Sequence, residues 1–325
     1  MTDTFSNRAG DGPRALKVLN RSAESNAPRL HEAWDLPVPG SGATAARHMI
    51  LAAIAREDLG TARVAEAHAA ALAILAEAGR APRSQALYGI WTADGPQTPL
   101  RAERIADLGW RIHGLKDYCG GATLVDACLV TATSPDGLLL FDVEVGDRVQ
   151  PQPSRWKTHA LEDAAVRPVS FDLVLDSDSL IGPPDWFLRR PGFWHGAVGA
   201  AACWAGGAMC LIDAVRKLQR AEPHARAHLG ALEAIDWNLR LILQECGREI
   251  DQDPKDAAGR ARVRALMARH LVQRACSETI DRLGSATGTQ LLAFDAQVAK
   301  QHAALALWIR ECHAERDLES IPAVH

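Results

Sequence analysis

The chain changes its period of hydrophobic and polar positions twice. Between residues 45 and 79, Leu, Ile and Val recur every three or four positions in an alanine-rich segment. This pattern predicts two helices broken near residues 58–61, with Thr61 as the N-cap of the second. From residue 86 the period becomes two, and after the Gly-Pro-Pro at 182–184 it is helical again. The order predicted is therefore helix, strand, helix.

The middle stretch predicts antiparallel β-structure. Strand-like pieces lie between Leu87 and Ile181, separated by turn signals, of which the Ser-Pro-Asp-Gly at 134–137 is the clearest hairpin. We expect these strands to form a small β-barrel.

The last stretch predicts four long antiparallel helices, which make a four-helix bundle. Their expected ranges are 193–218, 223–249, 257–283 and 295–320. The fold class predicted is α+β, and the expected domains are a helical domain at 1–84 with a flexible tail at 1–14, a β-barrel domain at 85–185 and the bundle at 186–325.

Composition and charge favour a small-molecule partner. A chain of 325 residues with 47% hydrophobic residues can bury a large core. A net charge of -4 provides no long-range attraction for nucleic acid or an acidic membrane. No apolar run is expected to be long enough to cross a bilayer, because the longest one, at 192–212, is rich in Gly and Ala and contains His195.

Cysteine and histidine usage predicts neither a disulfide framework nor a metal site. The seven cysteines are scattered and form no CxxC pair, which is typical of reduced thiols in the cytoplasm. His313, Glu315 and Asp317 could suggest a metal cluster, but on a helix the middle residue points away from the other two, so a salt-bridged surface or an oligomer contact is expected. Rossmann and P-loop fingerprints are absent from the sequence.

One segment resembles a known protein family. Residues 109–132, GWRIHGLKDYCGGATLVDACLVTA, have the pattern of two strands around a turn of small residues. The segment is similar to the middle domain of the acyl-CoA dehydrogenase family, where such a strand runs along the flavin ring. Residues 54–79 resemble the family's N-terminal helix pair, and residues 282–296 resemble the turn before its last helix.

The resemblance implies an FAD-dependent oxidoreductase that acts on an acyl thioester or a related acid. In the family, FAD lies between the middle domain and the bundle, and a base removes the α-proton of an acyl-CoA while hydride passes to the flavin. A second subunit contacts the cofactor, which implies a homodimer or homotetramer. The Ala- and Gly-rich face at 196–207 would allow close approach of helices between subunits.

The same resemblance assigns residues to the cofactor. Trp91, Thr92, Tyr118, Cys119 and Gly120 are expected along the flavin, with Gly120 where a Ser or Thr hydroxyl usually meets it. Aromatic residues in a barrel are more often core, and Cys119 is expected to be a small buried thiol rather than a nucleophile.

The catalytic base is the largest departure from the family pattern. Counting from Asp295 to the usual glutamate position leads to His302 and Ala303. A second family position, at the start of the first bundle helix, holds His195. Both histidines are candidate bases because their intrinsic pKa is suitable. The alternative for His195 is a structural residue bonded to a nearby carbonyl, and for His302 a core histidine with satisfied hydrogen bonds.

Other departures leave two alternatives open. The family's Thr-Glu-Pro-Gly-x-Gly-Ser-Asp loop and its Arg-x-x-Phe-Gly pattern have no counterpart here. One alternative is an enzyme resembling flavin monooxygenases, which use reduced flavin and oxygen. The other is a degenerate homologue that serves as a binding or structural protein without catalysis.

Overall fold

The computed structural model describes residues 32–95 and 99–321. The α-helices within these residues are α1 Thr44–Glu57, α2 Leu59–Glu77, α3 Trp186–Arg189, α4 Pro191–Lys217, α5 Pro223–Gln252, α6 Ala261–Thr287, α7 Gln290–Phe294, α8 Ala296–Trp308 and α9 Glu315–Glu319. The strands are β1 Tyr88–Trp91, β2 Arg101–Ile105, β3 Gly109–Cys119, β4 Ala127–Ser134, β5 Gly137–Glu144, β6 Val149–Pro151, β7 Arg167–Leu175 and β8 Leu180–Ile181. The helix–strand–helix order is the one predicted. The division into three domains stays a prediction.

The predicted helix pair is present, but its cap differs. The chain is extended at Asp58, whose carboxylate accepts a hydrogen bond from the Thr61 amide at 2.7 Å. Asp58 is therefore the N-cap of α2, and the assignment of that role to Thr61 was wrong. A side-chain acceptor at this position satisfies one of the free amides in the first helical turn.

The strands form one mixed sheet rather than the predicted closed barrel. Their order is β6-β7-β3-β2-β4-β5-β8, and β1 pairs in parallel with β4. Both β1 and β2 use the same edge of β4, and β2 reaches it only through the pair Arg101 and Thr133. Among the described strands the two ends of the sheet, β6 and β8, do not pair with each other. They have only three and two residues, which leaves little edge for closure.

Helix α4 occupies the centre of the helical part of the fold. A Cβ atom added to Gly206 would lie 2.1 Å from the carbonyl oxygen of Ala52, so only glycine permits this approach of α1 to α4. Similarly, a Cβ on Gly247 of α5 would lie 2.4 Å from the amide nitrogen of Ala45. The N-terminal helices thus pack directly onto the bundle.

Two expectations about α4 were wrong. The small-residue face at 196–207 is largely buried against other helices of the same chain, so it is not free for a second subunit. By length and composition alone, α2 and α4 are apolar enough to cross a membrane, contrary to the prediction. In this fold, 83% of the most apolar stretch of α4 is buried inside the protein.

The last bundle helix is shorter than predicted. Helix α8 ends at Trp308, and the chain continues through a 3-10 turn at Ile309–Glu311. Ala314 then adopts a φ of 46°, in the left-handed region that interrupts helices of L-residues. The remaining turn, α9, has five residues.

Candidate functional site

The strand β3 places alternate residues of the predicted flavin segment inside and outside the protein. Tyr118 is 52% exposed, whereas the Cys119 thiol is fully buried beneath it. Burial raises the pKa of the Cys119 thiol, which keeps it protonated. Cys119 is therefore a packing residue, and Tyr118 is the ring available to a ligand.

Trp91 supports the turn from inside the protein. Its side chain is fully buried and contacts Phe171 edge-on, with ring centroids 6.0 Å apart. Its indole nitrogen donates a hydrogen bond to the Gly120 carbonyl at 2.8 Å. Thr92 is half-buried, and its carbonyl oxygen accepts from the Thr131 hydroxyl at 3.2 Å. The structure thus places Trp91 and Thr92 behind the turn.

The turn at residues 120–122 has an open side and a bonded side. A Cβ atom on Gly120 would meet no other atom within 4 Å. The next two amides are already used, because Gly121 donates to the carbonyl of Ala164 at 2.8 Å and Ala122 donates to that of Ala165 at 3.2 Å. The open side can accommodate a ligand, but these two amides are not free to bind it.

A cleft of about 200 Å³ lies beside Tyr118. The half-buried Trp156 forms another wall, and its indole nitrogen donates to the Ala160 carbonyl at 2.7 Å. Arg155 lies at the cleft and pairs with Asp117 at 3.2 Å. Two aromatic rings on an exposed surface suit a flat ligand, while the Arg155 charge is already opposed by Asp117, which lines the same cleft. We call this surface, with Gly120, the Tyr118 cleft.

A buried lysine fixes the loop that follows β1. The Lys116 ammonium is 1% exposed and donates to Asp94 at 2.5 Å and to the Thr131 hydroxyl at 3.0 Å. Burial lowers the pKa of Lys116, and the Asp94 carboxylate opposes that change. This ion pair holds the loop at residues 92–95 against the end of β3.

His302 lies on α8 and is directed away from the turn at Gly120. Two residues earlier on the same helix, Lys300 pairs with Asp58 at 2.7 Å and with Asp163 at 2.5 Å. Asp163 directly precedes Ala164, whose carbonyl accepts from Gly121 of the turn. Side chains two residues apart on a helix point in directions about 200° apart, so His302 is on the side of α8 opposite to Lys300. Burial lowers its pKa, and its ring has no hydrogen-bond partner in the described residues.

His195 lies on the first turn of α4, where both of its ring nitrogens are engaged. Nε2 donates to the Pro254 carbonyl at 3.1 Å, and Nδ1 accepts from the Arg264 guanidinium at 3.3 Å. Burial, assisted by the charge of Arg264, lowers the pKa of His195. A neutral ring with both nitrogens occupied has no free lone pair with which to remove a proton.

The structure does not bring the predicted residues together. The turn at Gly120 contacts the loop that packs on Gly60, at the first turn of α2. His195 shares a cavity with Glu77, at the last turn of α2. These two ends of α2 are 17 residues apart, which corresponds to about 25 Å at 1.5 Å per residue.

The cavity beside His195, which we call the α4 cavity, has a volume of about 230 Å³. It lies between α1, α2 and α4, and its polar lining includes Arg47, Glu77 and Arg190. These residues were not singled out by sequence reasoning. The available signal was weak: an arginine inside an apolar helix, and another just before the Pro-Gly that begins α4.

Comparisons with solved structures show the fold. The chain superposes on KijD3 in complex with FMN and a dTDP-linked keto sugar, with a TM-score of 0.74, 15% identity, and coverage of 97% of this chain and 94% of that one. It superposes equally well on dibenzothiophene monooxygenase TdsC from Paenibacillus sp. A11-2, with a TM-score of 0.74 and 16% identity, covering 95% of this chain and 92% of that one. For glutaryl-coenzyme A dehydrogenase in complex with glutaryl-CoA, the TM-score is 0.72 and the identity 15%, and the match covers 91% of this chain and 89% of that one.

No protein-family model matches the chain, and no curated protein sequence matches it significantly. The similarity is thus one of structure. The chain has the fold of the acyl-CoA dehydrogenase-like flavoproteins, as the resemblance of residues 109–132 implied.

Proposed function

We propose that the chain is a flavin-dependent oxidoreductase whose flavin lies against the Tyr118 cleft. The observation that carries this proposal is the exposed Tyr118 ring, two residues before the open position at Gly120, in the segment that the resemblance assigns to the flavin. The solved structures that share the fold include complexes with FMN and with FAD. FAD is the cofactor that the family resemblance implies, and FMN is the alternative.

The residues of the cleft fit the ring of a flavin better than its polar edge. Tyr118 and Trp156 offer aromatic surface. Arg155 is paired with Asp117 but is 60% exposed, so it can reach a phosphate only by exchanging that partner. Gly120 lacks a hydroxyl, and the two amides that follow it are bonded within the protein. We therefore expect flavin to be held mainly by stacking and charge.

The acidic groups around the cleft bear on the reaction. Dehydrogenation of an acyl thioester needs a side chain that removes the α-proton. Within the described residues, the nearby carboxylates Asp94, Asp117 and Asp163 are each paired with a lysine or arginine. His195 and His302 are directed elsewhere. A bound flavin would supply the electron transfer, and the pairing favours an oxygen-dependent, monooxygenase-type reaction over dehydrogenation.

A glycine substitution tests the flavin site. Gly120→Ser should tighten flavin binding about fivefold, because one added hydrogen bond contributes about 1 kcal/mol. The measurement is titration of the purified protein with FAD and FMN, followed at the flavin absorbance at about 450 nm. Gly146→Ser is the matched control, since Gly146 is exposed and a Cβ there likewise meets nothing within 4 Å.

Two outcomes would contradict the proposal. A protein that binds neither flavin would instead support the non-catalytic homologue. Flavin binding that is unchanged by both Gly120→Ser and Tyr118→Ala would place the cofactor elsewhere. Once flavin is bound, anaerobic bleaching by acyl-CoAs would support dehydrogenation, whereas oxygen uptake by the chemically reduced protein without bleaching by acyl-CoAs would support the monooxygenase-type reaction.

A further inference from the structure

The α4 cavity combines small apolar walls with buried positive charge. Its apolar lining comes from Val38, Pro39 and three alanines on one face of α2, which are Ala70, Ala73 and Ala76. A volume of about 230 Å³ is below the range of about 300–1,000 Å³ that is common for drug-sized ligands. The cavity therefore suits a ligand of only a few carbon atoms.

Arg47 is a buried cation without an ion-pair partner in the described residues. It is 3% exposed, and its guanidinium donates to the Pro37 carbonyl at 3.1 Å. Burial lowers the pKa of Arg47 to about 10, against the opposing charge of Glu66. Glu66 acts on Arg47 only from a distance, because the two side chains form no ion pair within 4.0 Å. Buried charges in proteins are usually paired, so Arg47 has unused capacity for an anion.

Arg190 also has an unused hydrogen-bond donor. It is 8% exposed, and one terminal nitrogen donates to the Glu77 carboxylate at 2.5 Å. Its Nε is buried and has no hydrogen-bond partner. Glu77 additionally accepts from the Gly192 amide at 3.1 Å, so this single carboxylate already serves two donors.

The charges facing the cavity leave one positive charge uncompensated. Arg47 and Arg190 are opposed by Glu77, while His195 is neutral because its Nδ1 accepts from Arg264. Arg264 itself pairs with Glu249 at 3.4 Å. A ligand with a single negative charge would neutralise this remaining positive charge.

We propose that the α4 cavity binds a small organic carboxylate, with Arg47 and Arg190 as its cationic partners. Arginine presents N–H donors in a planar fork that matches a carboxylate. The apolar walls suit a short hydrocarbon body, and the single spare charge matches one carboxylate better than a phosphate dianion. The site does not depend on flavin, since it stands on residues at the other end of α2.

Calorimetric titration of the full chain with butyrate tests the site, with inorganic phosphate as the comparison ligand. Arg47→Met should weaken butyrate binding at least tenfold, because it removes the unpaired cation. Glu77→Gln should strengthen it, because it removes the competing carboxylate from Arg190. Arg111→Met is the control: this exposed arginine pairs with Asp172 on the sheet, and its loss should leave butyrate affinity unchanged.

A structural role for Arg47 predicts a different result. In that case Arg47→Met would lower the melting temperature of the ligand-free protein and leave butyrate affinity unchanged, which would overturn the proposal. Absence of butyrate binding at millimolar concentration, or binding of phosphate alone, would overturn it too. The butyrate titration is done both with and without added flavin. A failure of the butyrate site can therefore be distinguished from a failure of the protein to bind flavin.

Discussion

His48 is a buried histidine that the fold keeps neutral. It is 1% exposed, and its Nδ1 donates to the Leu243 carbonyl at 3.1 Å. Burial lowers its pKa to about 4, whereas an unfolded histidine titrates near about 6.5. The unfolded chain thus takes up a proton first as the pH falls. The stability from neutral His48 is complete above about pH 6.5 and is lost on acidification toward about pH 4.

Substitution of His48 should make stability less sensitive to acid. Asparagine keeps a donor for the Leu243 carbonyl but does not titrate. Between pH 7 and pH 4.5, the free energy of unfolding of His48→Asn should fall by about 2 kcal/mol less than that of the wild type. Urea unfolding at the two pH values measures this difference. His159→Asn, at a fully exposed position, is the control, and an equal loss in both variants would contradict the prediction.

Single residues also mark where sequence reasoning about the site stopped. The motif located Tyr118 and Gly120 at an exposed turn, because the turn chemistry is local. It could not separate Trp91 from Tyr118, since strand β1 is covered on both faces and alternation does not identify the outer one. The role of His195 depends on Pro254 and Arg264, which are 59 and 69 residues away, and no local pattern reports such partners.

At the scale of elements, contacts between helices depend on particular glycines. A methyl group on Gly206 would collide with the Ala52 carbonyl oxygen, so α1 would have to move away from α4. We expect Gly206→Ala to lower the free energy of unfolding by about 3 kcal/mol, the upper range for overpacking. Gly230→Ala, at an open position on α5, should raise it by about 0.5–1 kcal/mol. Similar effects of the two substitutions in urea unfolding would contradict the helix-contact explanation.

The spacing of hydrophobic residues predicted the type and order of the elements more accurately than where each element ends or which strands pair. Helices α4 to α6 begin within a few residues of the predicted positions, and α4 and α5 each begin at a proline, which is favoured in the first helical turn. The end of α8 carried no such signal: Trp308, Ile309 and Arg310 are all compatible with helix. The sequence pattern also could not predict that the sheet stays open. Two strands, β1 and β2, share one edge of β4, and this pairing depends on tertiary contacts.

At the scale of the whole molecule, one helical surface leaves large apolar side chains in solvent. Trp237 and Leu241 on α5, with Met267 and Leu271 on α6, are between 41% and 66% exposed. Three of these residues border a groove of about 310 Å³. Exposed apolar patches of this kind mark protein interfaces. We propose that the homo-oligomer implied by the family resemblance forms through this surface, rather than through α4.

A charge on this surface should separate the subunits. Leu271→Glu is expected to reduce the mass seen by size-exclusion chromatography with light scattering to that of one chain, because a carboxylate would be buried without a partner. Leu108→Glu, at an exposed position on the sheet side, should have no such effect. A monomeric wild-type protein, or an oligomer that tolerates Leu271→Glu, would contradict the proposal.

The close contact of Ala52 with Gly206 also concerns the synthesis of the protein. Gly206 follows Ala52 by 154 residues, so the apolar side of α1 is made long before the helix that covers it. Ribosomes add about 5–20 residues per second, which gives a delay of about 8–30 s. During this interval α2 can already pack on β1, where the Tyr88 amide donates to His68, but the face of α1 that covers α4 has no native partner. Protection of that face from aggregation must come from chaperones or from transient contacts.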